Sequence, residues 1–136
     1  MRYLGLDIGD RWIGVALSDP LGKLASPLTI IERSRESADL EAIAGIISQH
    51  DVGQVIVGLP RSMDGSLGRQ AEKTEAFTQK LRNHIEVPVD FRDERLTTVS
   101  ARRMIQASQT KKGRKKRDDA IAAAVILQGF LDEERI

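Results

Sequence analysis

The run QVIVGL, at residues 54–59, constrains the fold more than any other feature of the sequence. It is a short, continuous apolar stretch that ends at Pro60, and this pattern is typical of a strand buried on both faces. A strand of this kind needs helices packed on both sides of its sheet. The run therefore predicts an α/β fold in which residues 54–59 lie inside the sheet.

The segments before this strand predict a β-hairpin and an edge strand. YLGLDIG and WIGVALS alternate in hydrophobicity, and the polar turn Asp10-Arg11 joins them, which indicates a hairpin between Arg2 and Ser18. A third strand is expected over residues 23–31. Because proline cannot donate a ladder hydrogen bond, Pro27 favours an edge position for this strand.

Helical periodicity and capping residues place the remaining elements. Ser37 is expected to cap a helix that buries Leu40 and Ile43, and Ser66 to cap a second helix that ends near Arg82. The other expected elements are a strand over Val87–Arg92, a short helix from Thr97 or Thr98, and a final helix from about Asp119 to Asp132. This order predicts one domain spanning residues 1–136, with a sheet that is partly antiparallel and partly parallel.

Charge and composition exclude several classes of function. The 136 residues carry 21 Lys or Arg and 20 Asp or Glu, so any attraction to nucleic acid must come from local clusters. The lack of cysteine excludes disulfides and thiolate chemistry. No signal-peptide core or long apolar run is present, which predicts a cytoplasmic protein. One Trp and one Tyr give little support for base stacking, so recognition of backbone and shape is expected.

Two acidic positions fall at predicted strand ends. Asp7 interrupts an apolar strand, where a carboxylate is costly unless it is paired or binds a cation, although it could instead end the strand and cap the turn. Glu94 follows the strand over 87–92, at the kind of strand end where α/β sheets collect ligands. The alternative is a solvated acidic turn, in which Asp93 or Glu94 pairs with Arg92 or Arg95.

A third acidic position opens the final helix. Helix capping explains one of Asp118 and Asp119 but does not readily explain both. Together with Asp7 and Glu94, a carboxylate here could hold two divalent cations about 4 Å apart for in-line attack on a phosphodiester. Hard oxygen ligands favour Mg²⁺ or Mn²⁺, and the lack of cysteine and of clustered histidine argues against zinc.

The densest positive cluster, KKGRKKR, stands directly before this acidic pair. It is expected to hold a polyanion with salt-dependent affinity and, since it separates two packed helices, to form a loop that is mobile without substrate. Its basic residues are Lys111, Lys112, Arg114, Lys115, Lys116 and Arg117.

Four blocks of sequence, in this order, resemble the YqgF/RuvX family. They are LGLDIGDRWIGVALSD, VIVGLPRSMDGS, DERLTTVSA and DDAIAAAVILQGFL, and the similarity runs from about Arg2 to Leu131. Members of this family are described as pre-16S rRNA nucleases and were formerly described as Holliday junction resolvases. The resemblance implies a ribonuclease H-like fold: a five-stranded mixed sheet in the order 3-2-1-4-5, flanked by helices.

The resemblance also implies roles for single residues. Asp7 matches the acid of the family's first-strand LDxG, and Glu94 matches the glutamate of its DERLTT. Registering ILQGFL against the family's usual ending places Asp119 at the catalytic and metal-binding aspartate. Asp118 falls where the family often has an aliphatic residue, and it is the second choice as metal ligand.

The family pattern further implies a role for the loop after the central strand, here Gly58, Leu59, Pro60, Asp64 and Gly65. Glycines permit tight turns and close approach of the backbone to phosphate, although a rigid turn feeding a helix explains them too. Three arginines could touch the nucleic acid, although an exposed arginine is more often simply a soluble surface. They are Arg11 in the hairpin, and Arg61 and Arg69 after the central strand.

The resemblance implies a Mg²⁺- or Mn²⁺-dependent nuclease that acts on structured nucleic acid. The favoured substrate is the 5′ end of precursor 16S rRNA. The first alternative is a junction-specific DNA resolvase, which would usually work as a dimer, and the sequence leaves monomer and homodimer open. The second is a nucleic-acid-binding factor without catalysis, in ribosome assembly or transcription. An actin-like or sugar-kinase-like phosphotransferase is disfavoured because the chain lacks a second glycine-rich nucleotide loop.

Overall fold

The computed structural model describes residues 1–60, 67–94 and 116–134, and in the last range it describes side chains from residue 119 onward. No helix in these ranges is long and apolar enough to cross a membrane. The elements in chain order are β1 (Arg2–Ile8), β2 (Trp12–Ser18), β3 (Ala25–Glu32), α1 (Glu36–His50), β4 (Val52–Leu59), α2 (Arg69–His84), β5 (Val89–Asp93) and α3 (Lys116–Glu134).

The five strands form one mixed sheet in the order β3-β2-β1-β4-β5, which confirms the predicted topology. β1 pairs with β2 and β2 with β3 in antiparallel fashion, whereas β1 with β4 and β4 with β5 are parallel pairs. The carboxyl ends of β1, β4 and β5 therefore meet the start of β2 at one edge of the sheet. We call this the carboxyl edge, since ligand sites of α/β proteins collect at such an edge.

Helices cover both faces of the sheet, as the buried run QVIVGL predicted. Val55 and Val57 of β4 belong to the core beneath α1 and α2. Ile56, between them, belongs to a second core beneath α3, together with Ala123 and Leu127. Alternate residues of β4 therefore contribute to two separate apolar cores. The predicted edge position of β3, which contains Pro27, is also confirmed.

The predicted caps of α1 and α2 are wrong. Arg35 precedes α1 without a side-chain cap, and Ser37 lies inside the helix. The buried carboxylate of Asp39 instead accepts the N–H of Ser34 at 3.1 Å, so it fixes the segment that enters the helix. The second helix begins at residue 69 with Gly68 as its N-cap, so Ser66 does not hold that position.

The last helix begins three residues earlier than expected. Lys116 and Arg117 belong to α3 and not to a loop, which corrects that part of the prediction. Asp118 is the third residue of the helix and Asp119 the fourth, so neither is the N-cap, and the expectation that capping explains one of them is wrong. The short helix expected from residue 97 or 98, and the loop residues 111–115, lie outside the described residues.

Candidate active site

Asp7 lies at the carboxyl edge, on the face of the sheet that α3 covers. It is the penultimate residue of β1, and its neighbours Leu6 and Ile8 point into the core beneath α1 and α2. Side chains alternate along a strand, so Asp7 shares the opposite face with Gly5, where an added Cβ would lie 2.8 Å from Leu127 of α3. The carboxylate is half-buried, in a position that is costly without a compensating charge.

Asp119 reaches this place because Gly14 has no side chain. Gly14 of β2 stands directly opposite Asp7 in the antiparallel pair. A Cβ on Gly14 would lie 1.9 Å from the carbonyl oxygen of Asp119, so the backbone of α3 packs directly on the strand. Asp119 is 8% exposed. The glycine thus brings the end of the first turn of α3 beside Asp7.

Glu94 reaches the same place from the other side because of Gly58. Leu6 pairs with Val57 in the parallel pair of β1 and β4, so the next step along both strands sets Asp7 beside Gly58. A Cβ on Gly58 would lie 2.7 Å from Oε1 of Glu94, the residue that directly follows β5. The carboxylate therefore occupies the space over Gly58.

Gly14, Asp7 and Gly58 make a row across β2, β1 and β4, which we call the glycine row. It brings Asp119 and Glu94 to opposite sides of Asp7 at one edge and on one face. All three acids take part in hydrogen bonds or electrostatic interactions. Within the described ranges, no three His, Cys, Asp or Glu residues form a group that could hold a metal ion in the conformation seen.

The donor chemistry of the three acids fits a hard divalent cation. Carboxylate oxygens are the ligands that Mg²⁺ and Mn²⁺ prefer, and Gly14 and Gly58 let Asp119 and Glu94 come close to Asp7 from its two sides. The two histidines are remote from this place: His50 ends α1, and His84 pairs with Glu41 at 2.8 Å. The fit therefore rests on the type of donor and on its placement, and binding requires the carboxylates to converge.

The family pattern placed Gly58, Leu59 and Pro60 in the loop after the central strand; of these, only Pro60 follows β4. Gly58 and Leu59 belong to β4, and Gly58 gives space to Glu94. Asp64 and Gly65, which complete the predicted loop, lie outside the described residues.

Arg92 does not form the ion pair with Asp93 or Glu94 that the alternative interpretation allowed. Its guanidinium donates to Glu133 of α3 at 2.7 Å, beneath Gly129, and Arg92 is 9% exposed. The contact ties the end of β5 to α3, next to the residue that carries the candidate carboxylate. Sequence analysis missed this link because the partners are 41 residues apart.

A second buried ion pair holds the turn that follows Asp7. Nε of Arg33 donates to Asp39 at 3.2 Å, while Nη1 of Arg33 donates to the carbonyl of Gly9 at 3.0 Å. The amide of Gln70 in α2 donates to the carbonyl of Ile8 at 3.2 Å. Sequence analysis missed all of these residues; the only signal was an acid, Asp39, on the apolar side of α1.

The predicted nucleic-acid contacts are placed in part. Arg11 is exposed in the turn between β1 and β2, with its guanidinium 5.1 Å from the centre of the Trp12 ring, and Arg69 is the exposed first residue of α2. Lys116 and Arg117 begin α3. The others, Arg61, Lys111, Lys112, Arg114 and Lys115, lie outside the described residues.

Comparison with known proteins gives one consistent family. A family model described as "RuvX: Holliday junction resolvase" matches residues 1–133. A protein of Desulforamulus reducens is 50% identical over 133 residues and one of Clostridium botulinum is 48% identical, each match covering 97% of both chains. Both relatives bear the name "Putative pre-16S rRNA nuclease".

Among solved structures, Thermus thermophilus RuvC aligns with a TM-score of 0.64 at 14% identity, covering 98% of this chain and 97% of that one. The same protein in complex with a Holliday junction substrate aligns with a TM-score of 0.63. At this identity the likeness shows the fold, which is the ribonuclease H-like sheet that the sequence predicted. The family model and the relatives at about 50% identity also show the family. The chain belongs to the RuvX family.

Proposed function

We propose that this chain is a divalent-metal-dependent nuclease that hydrolyses phosphodiester bonds in structured nucleic acid, with the 5′ end of precursor 16S rRNA as its cytoplasmic substrate. The observation that carries the proposal is the glycine row, which sets Asp7 between Asp119 and Glu94 at one edge of the sheet. The name borne by relatives about 50% identical supports precursor rRNA as the substrate.

Asp7, Glu94 and Asp119 would hold Mg²⁺ or Mn²⁺. Two such ions would supply a nucleophile from water and stabilise the leaving oxygen of an in-line displacement. Asp7 stands between the other two acids, so it is the residue best placed to contact both ions. Gly14 and Gly58 leave the space beside it for Asp119 and Glu94. All three carboxylates would bind a cation in their ionised form.

The chain's cations would hold the substrate around these acids. Arg11 and Arg69 are exposed at the carboxyl edge, Lys116 and Arg117 begin α3, and the basic residues of 111–115 precede them in the sequence. The backbone N–H groups at the start of α2 add a positive partial charge at the same edge, since Gly68 provides no side-chain cap. Contacts of this kind position the phosphate backbone and do not read sequence.

The test is cleavage of precursor 16S rRNA with Mg²⁺ or Mn²⁺, with wild type beside Asp7→Asn and Asp119→Asn. Removing a metal ligand should cost several kcal/mol of transition-state stabilisation, or a fall of about 100-fold or more. Isothermal titration with Mn²⁺ should show weaker binding to the same variants. Asp10→Asn is the matched control, because Asp10 is exposed in the turn after β1 and pairs with Lys73 on the surface, at 3.4 Å. Full cleavage by Asp7→Asn would overturn the mechanism.

The neighbouring aspartates of α3 allow a sharper comparison. Asp118→Asn removes an equal charge one residue away from Asp119→Asn, so the difference between the two variants separates metal binding from helix electrostatics. We expect Asp118→Asn to keep most of the activity. The reverse order would transfer the ligand role to Asp118.

Cleavage of a four-way DNA junction is the second candidate activity, favoured by the family description. The same assay separates the two functions if junction DNA, duplex RNA and precursor rRNA are compared at equal concentration. Paired cuts on opposite strands of the junction, with intact precursor rRNA, would favour the resolvase. We expect the opposite result.

A further inference from the structure

Several arginines at the carboxyl edge form no ion pair and no side-chain hydrogen bond, and the proposed mechanism does not account for all of them. Of the Lys and Arg residues whose side chains the structure describes, only Arg11, Arg35 and Arg69 take part in neither an ion pair nor a side-chain hydrogen bond. All three are exposed. We call these residues the arginine rim; Arg35 was not among the sequence-predicted contacts.

The three residues surround the turn between β1 and β2. The N–H of Arg33 donates to the carbonyl of Arg11 at 2.8 Å, and Arg35 follows two residues later as the N-cap of α1. Arg69 begins α2, next to Gln70, whose amide donates to the end of β1. The rim therefore lies at the carboxyl edge, where α1 and α2 begin.

Their placement contrasts with that of the other described cations. Lys80 pairs with Glu36 across α1 and α2, and the arginines 33, 82 and 92 each donate to an acid or a carbonyl oxygen. Among the described side chains, the arginines outside ion pairs and hydrogen bonds thus lie at the edge that holds the candidate acids. Arg35 and Arg69 begin the helices of the opposite face, and Arg11 lies in the turn, over the ring of Trp12. The uncapped start of α2 adds to the same positive region.

We propose that the arginine rim binds the phosphate backbone of the nucleic acid beyond the cleavage site, so that the substrate crosses the end of the sheet from the α3 face to the α1 and α2 face. This inference rests on the proposed function and names where a flank of the substrate lies. Guanidinium groups suit the task because they bind phosphate in a bidentate manner. The ring of Trp12 supports the guanidinium of Arg11, which restricts its orientation.

The rim contacts phosphates other than the one that is cut. Its loss should therefore weaken binding and raise KM, while kcat stays within about twofold of wild type. Each lost contact with a duplex phosphate should also reduce the slope of log affinity against log salt by about 0.9, or by about 0.7 for a single strand. These two signatures separate the rim from residues that act on the reaction itself.

The experiment measures fluorescence anisotropy of a labelled RNA duplex with a single-stranded extension, in EDTA, between about 50 and 200 mM KCl. We expect Arg35→Gln to reduce the slope by about 0.7–0.9, and the triple variant with Arg11→Gln and Arg69→Gln by about 2–3. Lys80→Gln is the matched control for charge, because Lys80 is exposed on α2 and paired on the surface.

Two results decide the matter. If Arg35→Gln reduced the slope of log affinity against log salt no more than Lys80→Gln does, the effect would be one of net charge only. That result would overturn the proposal that the arginine rim binds phosphate. Since the assay contains no divalent cation, it is independent of cleavage. A reduced slope in a protein that cuts no substrate would refute the proposed nuclease and leave the rim standing, and cleavage with an unchanged KM in the triple variant would refute the rim alone.

Discussion

Replacing Gly14 by alanine tests whether the packing of α3 on β2 holds the candidate site together. The added Cβ would lie 1.9 Å from the carbonyl oxygen of Asp119 and 2.2 Å from its carbonyl carbon. Because ordinary contact begins at 3.4 Å, the backbone at the start of α3 has to move by about 1.5 Å. Overpacking of this kind costs about 1–3 kcal/mol, and a misplacement of about 1 Å can reduce a reaction rate about 100-fold.

Urea unfolding and cleavage with Mg²⁺ measure the two effects separately. With a slope of about 1–3 kcal/mol per molar urea, a loss of about 2 kcal/mol lowers the midpoint by about 1 M. Gly45→Ala is the control, because nothing lies within 4 Å of its added Cβ in α1. That variant should gain up to about 1 kcal/mol and cleave like wild type. A Gly14→Ala protein with the wild-type midpoint and rate would refute the reasoning.

Three further variants probe the edge and the fold. Gly58→Ala places its Cβ 2.5 Å from Cδ1 of buried Ile126 and 2.7 Å from Oε1 of Glu94, so cleavage should fall about 10-fold or more and stability by about 1–3 kcal/mol; normal cleavage would contradict this. Asp39→Asn removes a buried charge from an ion pair, and thermal unfolding should show a loss of about 1.5–3 kcal/mol; an unchanged midpoint would count against it. The N–H of Leu24, then that of the preceding residue, hold the pKa of Asp19 below its ordinary value of 3.8. Its stabilising effect is present above that value and lost as pH falls through the lowered pKa, so the difference in unfolding free energy between wild type and Asp19→Asn should shrink on acidification. A difference independent of pH would disprove it.

The fold could be predicted from the sequence because its strongest signals are local. The alternation of YLGLDIG and WIGVALS needs only two neighbouring segments, and QVIVGL shows burial on both faces by itself. Helix starts were less accurate. Ser37 and Ser66 have the chemistry of caps, but Asp39 satisfies a backbone donor from inside α1, and Gly68 opens α2 without a side chain. Capping propensity is weak against such tertiary contacts.

The candidate site shows where sequence reasoning reached its limit. Asp7, Glu94 and Asp119 could be named because charges at strand ends and helix starts are conspicuous. The reason they reach one place could not be seen, since Gly14 and Asp119 are far apart in sequence and a glycine carries no chemical signal of its own. For the same reason, the role of Gly58 was sought in the loop after the central strand. Only the strand register shows that both glycines stand beside Asp7.

Two partly buried arginines hold the elements of the carboxyl edge, and each is committed to a carboxylate outside the three candidate acids. Arg33 pairs with Asp39 beneath the turn after β1, and Arg92 pairs with Glu133 beneath α3. Neither cation forms an ion pair with the candidate acids, so neither offsets the cost of gathering three carboxylates at one edge. A bound divalent cation would be the largest positive charge there and would offset that cost directly. The two ion pairs therefore support the carboxyl edge without adding net charge to it. The arginine rim remains available to bind the phosphates of a substrate.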